Sequence, residues 1–476
     1  DGDDFQAAGR YLLEWLVQYR ERTVHERPVI STVAANYLAP LLPSEAPCEE
    51  EYWPEIFKDI DSAIVPGLTN WESSSKFFAY FKPHASYPAV LGEMLCAGLN
   101  VMGFDWIASP ACTELEVIVC DWLAKFLNLP KKFLNLAEGP GGSVIQGSAG
   151  EAAIVSFLAA LSEVQKNTPA SAREHMVVFA SDQAHAIVQK ACMILGIGNC
   201  RIIPTNAEDR YELSPIALRS VIEEEISFGH IPAVIVATTG TTSSCAFDPI
   251  SDIGRVAKDF GIWLHIDAAY GGSYACLPQL EHLFKGLDLC DSFVVNCHKK
   301  LLCPFDISVL YVADRRPILN ALSLQPEYLK NSASESGAVV DYEHWQLPLG
   351  RRFRALKLWF VFRRFGQEKI RKHLQQGLDL SVYFASLLQQ SPEFEIVLPV
   401  SLSLVCFRLK GKSEEIQRGL LERVKASGDC FIIHTKLSGL FVLRFACGGI
   451  EQSKEDVYKG WCVIKREAEE LLSSLT

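Results

Sequence analysis

Two adjacent lysines follow an apolar run in the segment VVNCHKKLL, residues 294–302. The run SFVV before them has the composition of a buried strand, so Lys299 and Lys300 are predicted to lie just beyond a strand end. Ligands of doubly wound α/β sheets bind at such ends, and a partly desolvated lysine there is a candidate nucleophile. Neighbouring side chains of an extended segment point to opposite faces, so one lysine is expected to face the ligand, but periodicity does not choose which.

Other reactive side chains follow other apolar runs. Asp267 ends WLHID, where a buried carboxylate is costly without a cation, so it is either the counter-ion of a protonated heterocycle or the cap of the next helix. His185 follows HMVVFAS and either stacks on a ring or caps a helix. The segment GPGGSVIQGSAGEAAIV places a Gly-rich turn before a helix, an arrangement that suits a phosphate. A phosphate cradle, a strand-end carboxylate and a strand-end lysine are together the parts that hold pyridoxal phosphate.

The elements that must position these residues alternate along the chain from about residue 115 to 315. Short apolar runs, among them RIIPTN, AVIVATTG and VLYVAD, are separated by longer helical patterns, which is typical of a mainly parallel sheet covered on both faces. We predict an N-terminal helical arm over 1–75, a large α/β domain over 76–345 and a small α+β domain over 346–476, where the strand-like runs are not separated by helices of crossover length.

Composition limits the ligand classes. The 476-residue chain has a formal net charge of −12, which argues against nucleic acid and anionic membrane as partners and favours a small molecule. No apolar stretch approaches the roughly 20 residues that span a bilayer. The fifteen cysteines are scattered and form no CxxC pair, so we expect reduced thiols, no metal site and a cytoplasmic location.

Several motifs, in this order, resemble the group II pyridoxal-phosphate decarboxylases, specifically the aromatic L-amino acid decarboxylases. They are FFAYF, GFDWIASPACTELE, QGSAGEA, SDQAH, HIDAAYGGS, NCHKKLL, YLKN and PLGRRFRALKLWFVFR. The similarity covers essentially the whole chain. It implies a fold-type I α/β protein that binds pyridoxal 5'-phosphate, forms a homodimer and decarboxylates an aromatic L-amino acid of the Dopa, 5-hydroxytryptophan, tryptophan or tyrosine class to the arylalkylamine.

The resemblance also implies residue roles. Lys299, in the family's His-Lys order, matches the lysine that binds the cofactor covalently, Asp267 matches the partner of the pyridine nitrogen, and His185 matches the histidine that stacks on the ring and takes part in proton transfer. The other implied cofactor contacts are Ser148, Ala149, Thr242, Asn296 and His298. The implied substrate contacts are Tyr80, Phe81, Met102, Phe104, His298 and Gly350, with Met102 and Phe104 reaching in from the partner subunit.

Tyr328 matches a tyrosine on a mobile loop that protonates the α-carbon after carbon dioxide leaves. The surrounding NALSLQPEYLKNSASESGAVV is polar and Ser-rich, which is typical of an active-site loop, or else of a linker with a surface tyrosine. Relatives that release an aldehyde replace this tyrosine, often with Phe, or the histidine at His185 with Asn. This chain keeps both, which favours the amine product, with an aromatic aldehyde synthase as the alternative.

Three positions depart from the family pattern. Lys300 stands where Trp is usual, Lys82 where Pro is usual, and Gly150 where a phosphate-site Ser is expected. The two lysines either shift the substrate range towards polar or acidic substituents, or lower the pKa of Lys299 by like-charge repulsion, or extend away from the pocket into solvent. The run RRFRALKLWFVFRR, residues 351–364, has the cationic amphipathic character of a calmodulin target, but the family match favours a buried or dimer-facing helix whose arginines pair with carboxylates.

Overall fold

The computed structural model describes residues 1–324 and 339–475, so Tyr328 lies outside the described residues. The chain divides into two compact units, one formed by residues 1–82 with 377–476 and the other by residues 83–376. The predicted boundaries at 75 and 345 do not coincide with this division. Backbone hydrogen bonds from Val29 to Gly428 (2.7 Å) and from Phe78 to Phe431 (2.9 Å) join the two ends of the chain in one unit, a pairing that apolar patterns do not report.

The α-helices of the described residues are numbered in chain order. They are α1 Gly2–Gln18, a three-residue turn Val24–Glu26, α2 Trp53–Asp59, α3 Tyr87–Leu99, α4 Pro110–Phe126, α5 Ala149–Gln165, α6 Ile187–Leu195, α7 Pro215–Ser227, α8 Ile250–Phe260, α9 Cys297–Lys300, α10 Arg316–Leu322, α11 Ala355–Gln389, α12 Glu414–Ala426 and α13 Lys454–Ser473. The helix α11 is interrupted at Gly366, whose φ of 67° is left-handed. None of the described helices is long and apolar enough to cross a membrane.

The strands are also numbered in chain order. They are β1 Gly142–Gln146, β2 Met176–Ser181, β3 Asn199–Ile203, β4 Ile231–Thr238, β5 Trp263–Asp267, β6 Ser292–Val295, β7 Ser308–Val312, β8 Phe394–Ile396, β9 Leu404–Leu409, β10 Ile433–Leu437 and β11 Leu440–Ala446. Short 3₁₀ and π turns complete the described elements; they lie at 19–23, 60–64, 65–67, 131–133, 170–175, 271–276, 278–284, 287–289 and 342–345.

The unit of residues 83–376 is built on a seven-stranded sheet in the order β1-β7-β6-β5-β4-β2-β3. Only β7 runs against the others, since it pairs antiparallel with β1 and β6 while the remaining pairs are parallel. The predicted mainly parallel α/β sheet is therefore confirmed. Strand β1 was not expected, because its sequence GSVIQ lies in a Gly-rich stretch that resembles a turn, and only its pairing with β7 makes it a strand.

Burial explains why these segments form strands. Every residue of β1, β2, β5, β6 and β7 is buried, as expected for a sheet covered on both faces. Small residues along α5, including Ala152, Ala159 and Ala160, are buried in the same core as the strands β2 and β4. Helices α6 and α8 each end at a glycine with φ of 66°, Gly196 and Gly261, which lets the chain turn back into the next strand.

The other unit carries a four-stranded antiparallel sheet in the order β10-β11-β9-β8. Its core is aromatic. Phe445 of β11 is fully buried and stacks on Phe384 with ring centroids 3.7 Å apart, and its other neighbour is Phe78 at 4.0 Å. The residues 1–82 thus supply part of the core beneath this sheet.

This stack predicts a large loss of stability on truncation. Phe445→Ala removes a fully buried ring and is expected to lower the free energy of unfolding by about 3–5 kcal/mol. Leu440→Ala on the same strand is the matched control, since Leu440 is exposed and its truncation should cost well under about 1 kcal/mol. Urea unfolding followed by far-UV circular dichroism measures both. Equal losses for the two variants would contradict the assignment of this core.

Candidate active site

A cavity of about 300 Å³ lies in the unit of residues 83–376. Its lining residues follow the carboxyl ends of β1, β2, β4, β5 and β6, the edge of the sheet at which ligands of such folds bind. The residues are Ser148, Ala149, Gly150, His185, Ile187, Thr238, Gly240, Thr242, Asp267, Ala269, Tyr270, Asn296, His298, Lys299 and Phe305. The eight residues expected to contact the cofactor are all among them, although their individual roles stay predictions.

The start of α5 forms one end of the cavity. Ser148 is the N-cap, and its Oγ accepts the backbone N–H of Glu151 at 3.2 Å. The first N–H groups of a helix have no hydrogen-bond partner within the helix. The N–H groups of Ala149 and Gly150 have no hydrogen-bond acceptor among the described residues. Both residues line the cavity, so two backbone donors and the positive end of a helix dipole are available to an anion there.

Asp267 ends β5 and is buried. Its Oδ1 accepts the backbone N–H of Ala269 at 3.1 Å, and the next turn, Gly271–Cys276, has Tyr270 as its N-cap without a side-chain bond. Asp267 is therefore not the N-cap of that turn, although its bond to Ala269 holds the segment that leads into it. A carboxylate at the lining of a cavity is instead available to a cationic ligand group.

Lys299 and Lys300 lie in a short helix, α9, and not in the extended segment that the sequence suggested. Successive side chains of a helix are about 100° apart, so the two lysines still diverge. Lys299 lines the cavity, and burial lowers its pKa while the nearby charge of Asp267 opposes that shift. Burial thus favours the neutral amine that a nucleophile needs.

Lys300 is buried and is not among the residues that line the cavity. Its Nζ lies 5.9 Å from the centroid of the Tyr270 ring. Burial, and after it the charge of Lys300, lower the pKa of His373 to about 3. The amine of Lys300 thus lies among protein groups that include Tyr270 and His373.

Lys82 belongs to the unit of residues 1–82 and 377–476, where it is buried. Its Nζ donates a hydrogen bond to the carbonyl of Trp71 and lies 5.0 Å from the centroid of the Phe77 ring. Burial lowers its pKa to about 8, with a smaller opposing effect of Glu72. Both unusual lysines are therefore engaged by protein groups, and the alternative that they extend into solvent is wrong because both are buried.

His298 is buried, and its Nδ1 accepts the backbone N–H of Ile307 at 3.2 Å. Burial and the charge of Lys299 lower its pKa to about 4. The ring is neutral near pH 7, and because Nδ1 accepts, the proton resides on Nε2. His298 thus offers one N–H donor to the cavity.

His185 follows β2 and lines the cavity from a more exposed position. Its Nδ1 accepts the backbone N–H of Ile187 at 3.2 Å, which fixes the direction of the ring. As with His298, an accepting Nδ1 leaves the proton of the neutral ring on Nε2.

Apart from His298, which lines the cavity, the expected substrate residues fall into two groups. Met102, Phe104 and Gly350 belong to the unit of residues 83–376 but are not among the lining residues of the cavity. A Cβ on Gly350 would lie 3.4 Å from Sδ of Met102, so these two positions are neighbours. Tyr80 and Phe81 lie in the other unit, where Tyr80 packs against Phe431 and the Phe81 ring receives the guanidinium of Arg444 at 5.2 Å.

Arginines at the start of the basic run at residues 351–364 form ion pairs with carboxylates. Arg351 and Glu116 form a fully buried ion pair, Arg352 pairs with Glu93, and Arg354 pairs with Asp306 at 3.0 Å. Three arginines at the start of the run, ahead of α11, thus pair with carboxylates, whereas Arg363 and Arg364 within α11 are exposed. The calmodulin-target alternative loses part of the cationic surface that it requires.

Some lining residues were not singled out from the sequence. Thr238, Gly240, Ala269 and Tyr270 lie within the strand-end segments TTGTTSS and DAAYGGS or next to them, so the strand-end rule points to their neighbourhood. The remaining two, Ile187 and Phe305, carry no polar group, and only the packing of the chain brings them to the cavity.

The cavity fits pyridoxal phosphate. Thr238 Oγ1 is buried, and it has no hydrogen-bond partner among the described residues. This hydroxyl, the two backbone donors of α5, the Asp267 carboxylate and the Lys299 amine match a ligand with a phosphate, a basic ring nitrogen and an aldehyde. Residues 1–324 and 339–475 contain no group of three His, Cys, Asp or Glu side chains arranged for a metal ion.

Comparisons with known proteins agree with this site. Residues 35–410 match the model of the pyridoxal-dependent decarboxylase conserved domain. The chain is 43% identical to phenylacetaldehyde synthase of Arabidopsis thaliana (99% of this chain, 97% of the relative) and 43% identical to aromatic-L-amino-acid decarboxylase of Mus musculus (94% and 93%). Its fold is similar to that of Oryza sativa TDC solved with PLP and tryptamine, with a TM-score of 0.96 at 37% identity over 99% of each chain.

The two adjacent lysines give a direct test of the site. Lys299→Ala is expected to abolish the covalent, borohydride-reducible attachment of pyridoxal phosphate, because it removes the amine that lines the cavity. Lys300→Met keeps the length of the side chain and is expected to retain the attachment. Visible absorption and intact mass after borohydride treatment measure both. Loss of attachment in a folded Lys300→Met protein together with retention in Lys299→Ala would reverse the assignment.

Proposed function

We propose, for a chain that belongs to the pyridoxal-dependent decarboxylase family, the decarboxylation of an aromatic L-amino acid to its arylalkylamine and carbon dioxide. The observation that carries the proposal is the cavity itself, in which a half-buried lysine and a strand-end carboxylate line the same space as the N-terminus of α5. The aromatic substrate class is supported by relatives and a structural neighbour named for aromatic amino acids, for phenylacetaldehyde or for a tryptamine complex.

The residues of the cavity have separate tasks. When bound, pyridoxal phosphate supplies a protonated ring that accepts the electron pair released as the carboxylate leaves. Asp267, whose buried carboxylate lines the cavity, would favour a protonated ring nitrogen, and Lys299 would present the amine, whose pKa is lowered by burial in the direction of the neutral form. The start of α5 would hold the phosphate, and neutral His298 would donate from Nε2.

Two side chains are candidates for delivering the proton that replaces carbon dioxide on the α-carbon. We assign its delivery to the α-carbon to the hydroxyl of Tyr328, with His185 in support, on the basis of the family pattern. The hydrogen bond from the Ile187 N–H supports this, since it keeps the His185 ring in a fixed direction with its proton on Nε2. Amine release then returns Lys299 to its starting state.

An aromatic aldehyde synthase is the second candidate, favoured by the 43% identity to phenylacetaldehyde synthase. That reaction consumes one dioxygen and one water per amino acid and yields aldehyde, carbon dioxide, ammonia and hydrogen peroxide. Simple decarboxylation consumes neither and yields only amine and carbon dioxide. The chain keeps both Tyr328 and His185, which supports the amine.

A shift of substrate range towards acidic side chains is not part of the proposal. The amine of Lys82 donates to a backbone carbonyl within its own unit, and Lys300 faces Tyr270 and His373. These protein contacts support a substrate without an additional acidic group.

We further propose a homodimer. Helix α3 carries an apolar stripe at i, i+4 spacing, formed by Tyr87, Leu91, Leu95 and Leu99, each 40–50% exposed. Met102 follows the same helix and is also exposed. A second copy of the chain is the partner that would cover this face. Met102, with its neighbour Gly350, would then contact the substrate that the second copy binds.

The location proposed for this enzyme is the cytoplasm. All fifteen cysteines are free thiols, and most of them are buried, as expected in a reducing compartment.

The reaction outcome is predicted as follows. Purified protein supplied with L-tryptophan, L-tyrosine, L-phenylalanine or L-Dopa should release amine and carbon dioxide in a 1:1 ratio with at least one of them, without matching peroxide. Tyr328→Phe is expected to lose most amine formation and to produce peroxide and aldehyde. Product chromatography and a peroxidase-coupled assay measure both. Peroxide equal to carbon dioxide in the wild type would replace the decarboxylase by the aldehyde synthase.

The dimer is tested on the stripe of α3. Leu91→Glu with Leu95→Glu places two charges on the apolar face and is expected to convert the dimer to monomer, with loss of activity because Met102 no longer reaches the other subunit's substrate. Ile216→Glu, at an exposed apolar position of α7, is the control and should remain dimeric. Sedimentation velocity measures the mass. A double variant that sediments as a dimer would remove α3 from the interface.

A further inference from the structure

One apolar side chain, that of Ile187, borders both the phosphate cradle and the His185 turn. Ile187 begins α6 and lines the cavity, and its backbone N–H donates to Nδ1 of His185. Its side chain extends towards the start of α5, where Gly150 lies. The residue that orients the histidine is thus also the residue packed against the cradle.

The fit between Ile187 and Gly150 is tight. A Cβ added to Gly150 would lie 3.1 Å from Cδ1 and 3.2 Å from Cγ1 of Ile187, and 3.5 Å from Oγ of Ser148. The first two distances are shorter than nine in ten real Cβ contacts. A side chain at position 150 would therefore need Ile187 to move by a few tenths of an ångström.

Ile187 has little freedom to move alone. A β-branched side chain in a helix has one strongly preferred χ1 rotamer, so a push on its Cγ1 is passed to its backbone. The backbone N–H is the group that holds His185. A displacement at the cradle is thereby transmitted to the histidine.

We propose that Ile187 is a positioning residue that couples residue 150 to the orientation of His185. With glycine at position 150, the cradle relies on backbone donors in place of the hydroxyl that the family pattern expects, and Ile187 occupies the space of that side chain. The pair is a matched exchange, in which neither residue can be changed alone without turning the histidine. This inference rests on the cofactor assigned under the proposed function.

A double-mutant cycle on the full-length protein reconstituted with pyridoxal 5'-phosphate tests the coupling. Gly150→Ala is expected to raise the dissociation constant of the cofactor by about tenfold, the scale of a modest overpacking cost. Ile187→Ala removes both close atoms and should raise it by roughly threefold through lost packing. In Gly150→Ala with Ile187→Ala, the constant should stay near that of Ile187→Ala. If the fold-increases in the dissociation constant of the two single variants multiply in the double variant, the proposal is overturned.

Visible circular dichroism at saturating cofactor provides a readout that a general loss of stability would not move. The signal of the bound cofactor reports its asymmetric surroundings, so a turned His185 should change the band in Gly150→Ala, and the double variant should resemble Ile187→Ala. If Gly150→Ala does not fold, Ile187→Ala alone decides, because an unchanged band and dissociation constant in that variant would refute the positioning role.

The control is a helical glycine without a tight neighbour. A Cβ on Gly419 in α12 would meet only Leu471, at 3.6 and 3.7 Å, so Gly419→Ala should bind the cofactor like the wild type. A wild-type protein that binds no pyridoxal phosphate would instead overturn the proposed function. If the wild type binds the cofactor but the effects of the two substitutions on the binding free energy are additive, this inference alone is overturned.

Discussion

The burial of the Lys299 amine beside the Asp267 carboxylate is the constraint on which the site depends. Burial lowers the pKa of the lysine and the carboxylate opposes that shift, with burial the larger effect. An exposed lysine would be protonated and could not act as a nucleophile near neutral pH. If Lys299 were buried without the Asp267 carboxylate, the cavity would lack a group that can bind a cation. The fold has to bring the two side chains together at one sheet edge, and it does so at the ends of adjacent strands, β5 and β6.

The carboxyl ends of five parallel strands supply the rest of the site. Each strand contributes one short segment, so the phosphate, ring and lysine contacts come from distant parts of the chain. The antiparallel β7 lies between β1 and β6 and brings Phe305 to the same edge. The buried ion pair of Glu116 and Arg351 holds β1 in place, since Oε1 of Glu116 accepts hydrogen bonds from both the Ile145 N–H and the guanidinium of Arg351. Breaking such a pair leaves a buried charge, which makes the position of β1 strongly specified.

The polar interior around Lys300 shows how the chain tolerates a lysine at a usual tryptophan position. The amine lies over the Tyr270 ring and close enough to His373 to disfavour protonation of that histidine. A cation over an aromatic face keeps part of its stabilisation when water is excluded. Tyr270 also lines the cavity, so Lys300 borders the site through this aromatic neighbour.

The sequence by itself determined the main features of this protein. Alternating apolar runs predicted the parallel sheet, because buried strands and covering helices have different periods, and strand ends pointed to Asp267, His185 and the two lysines. The choice of Lys299 came from the His-Lys order of the resembling family. Tertiary structure decided what periodicity cannot encode: that NCHKK is a turn of helix, that GSVIQ is a strand, and that residues 1–82 join the C-terminal sheet. It alone set Ile187 against Gly150, since contacts between residues far apart in the chain arise only from packing.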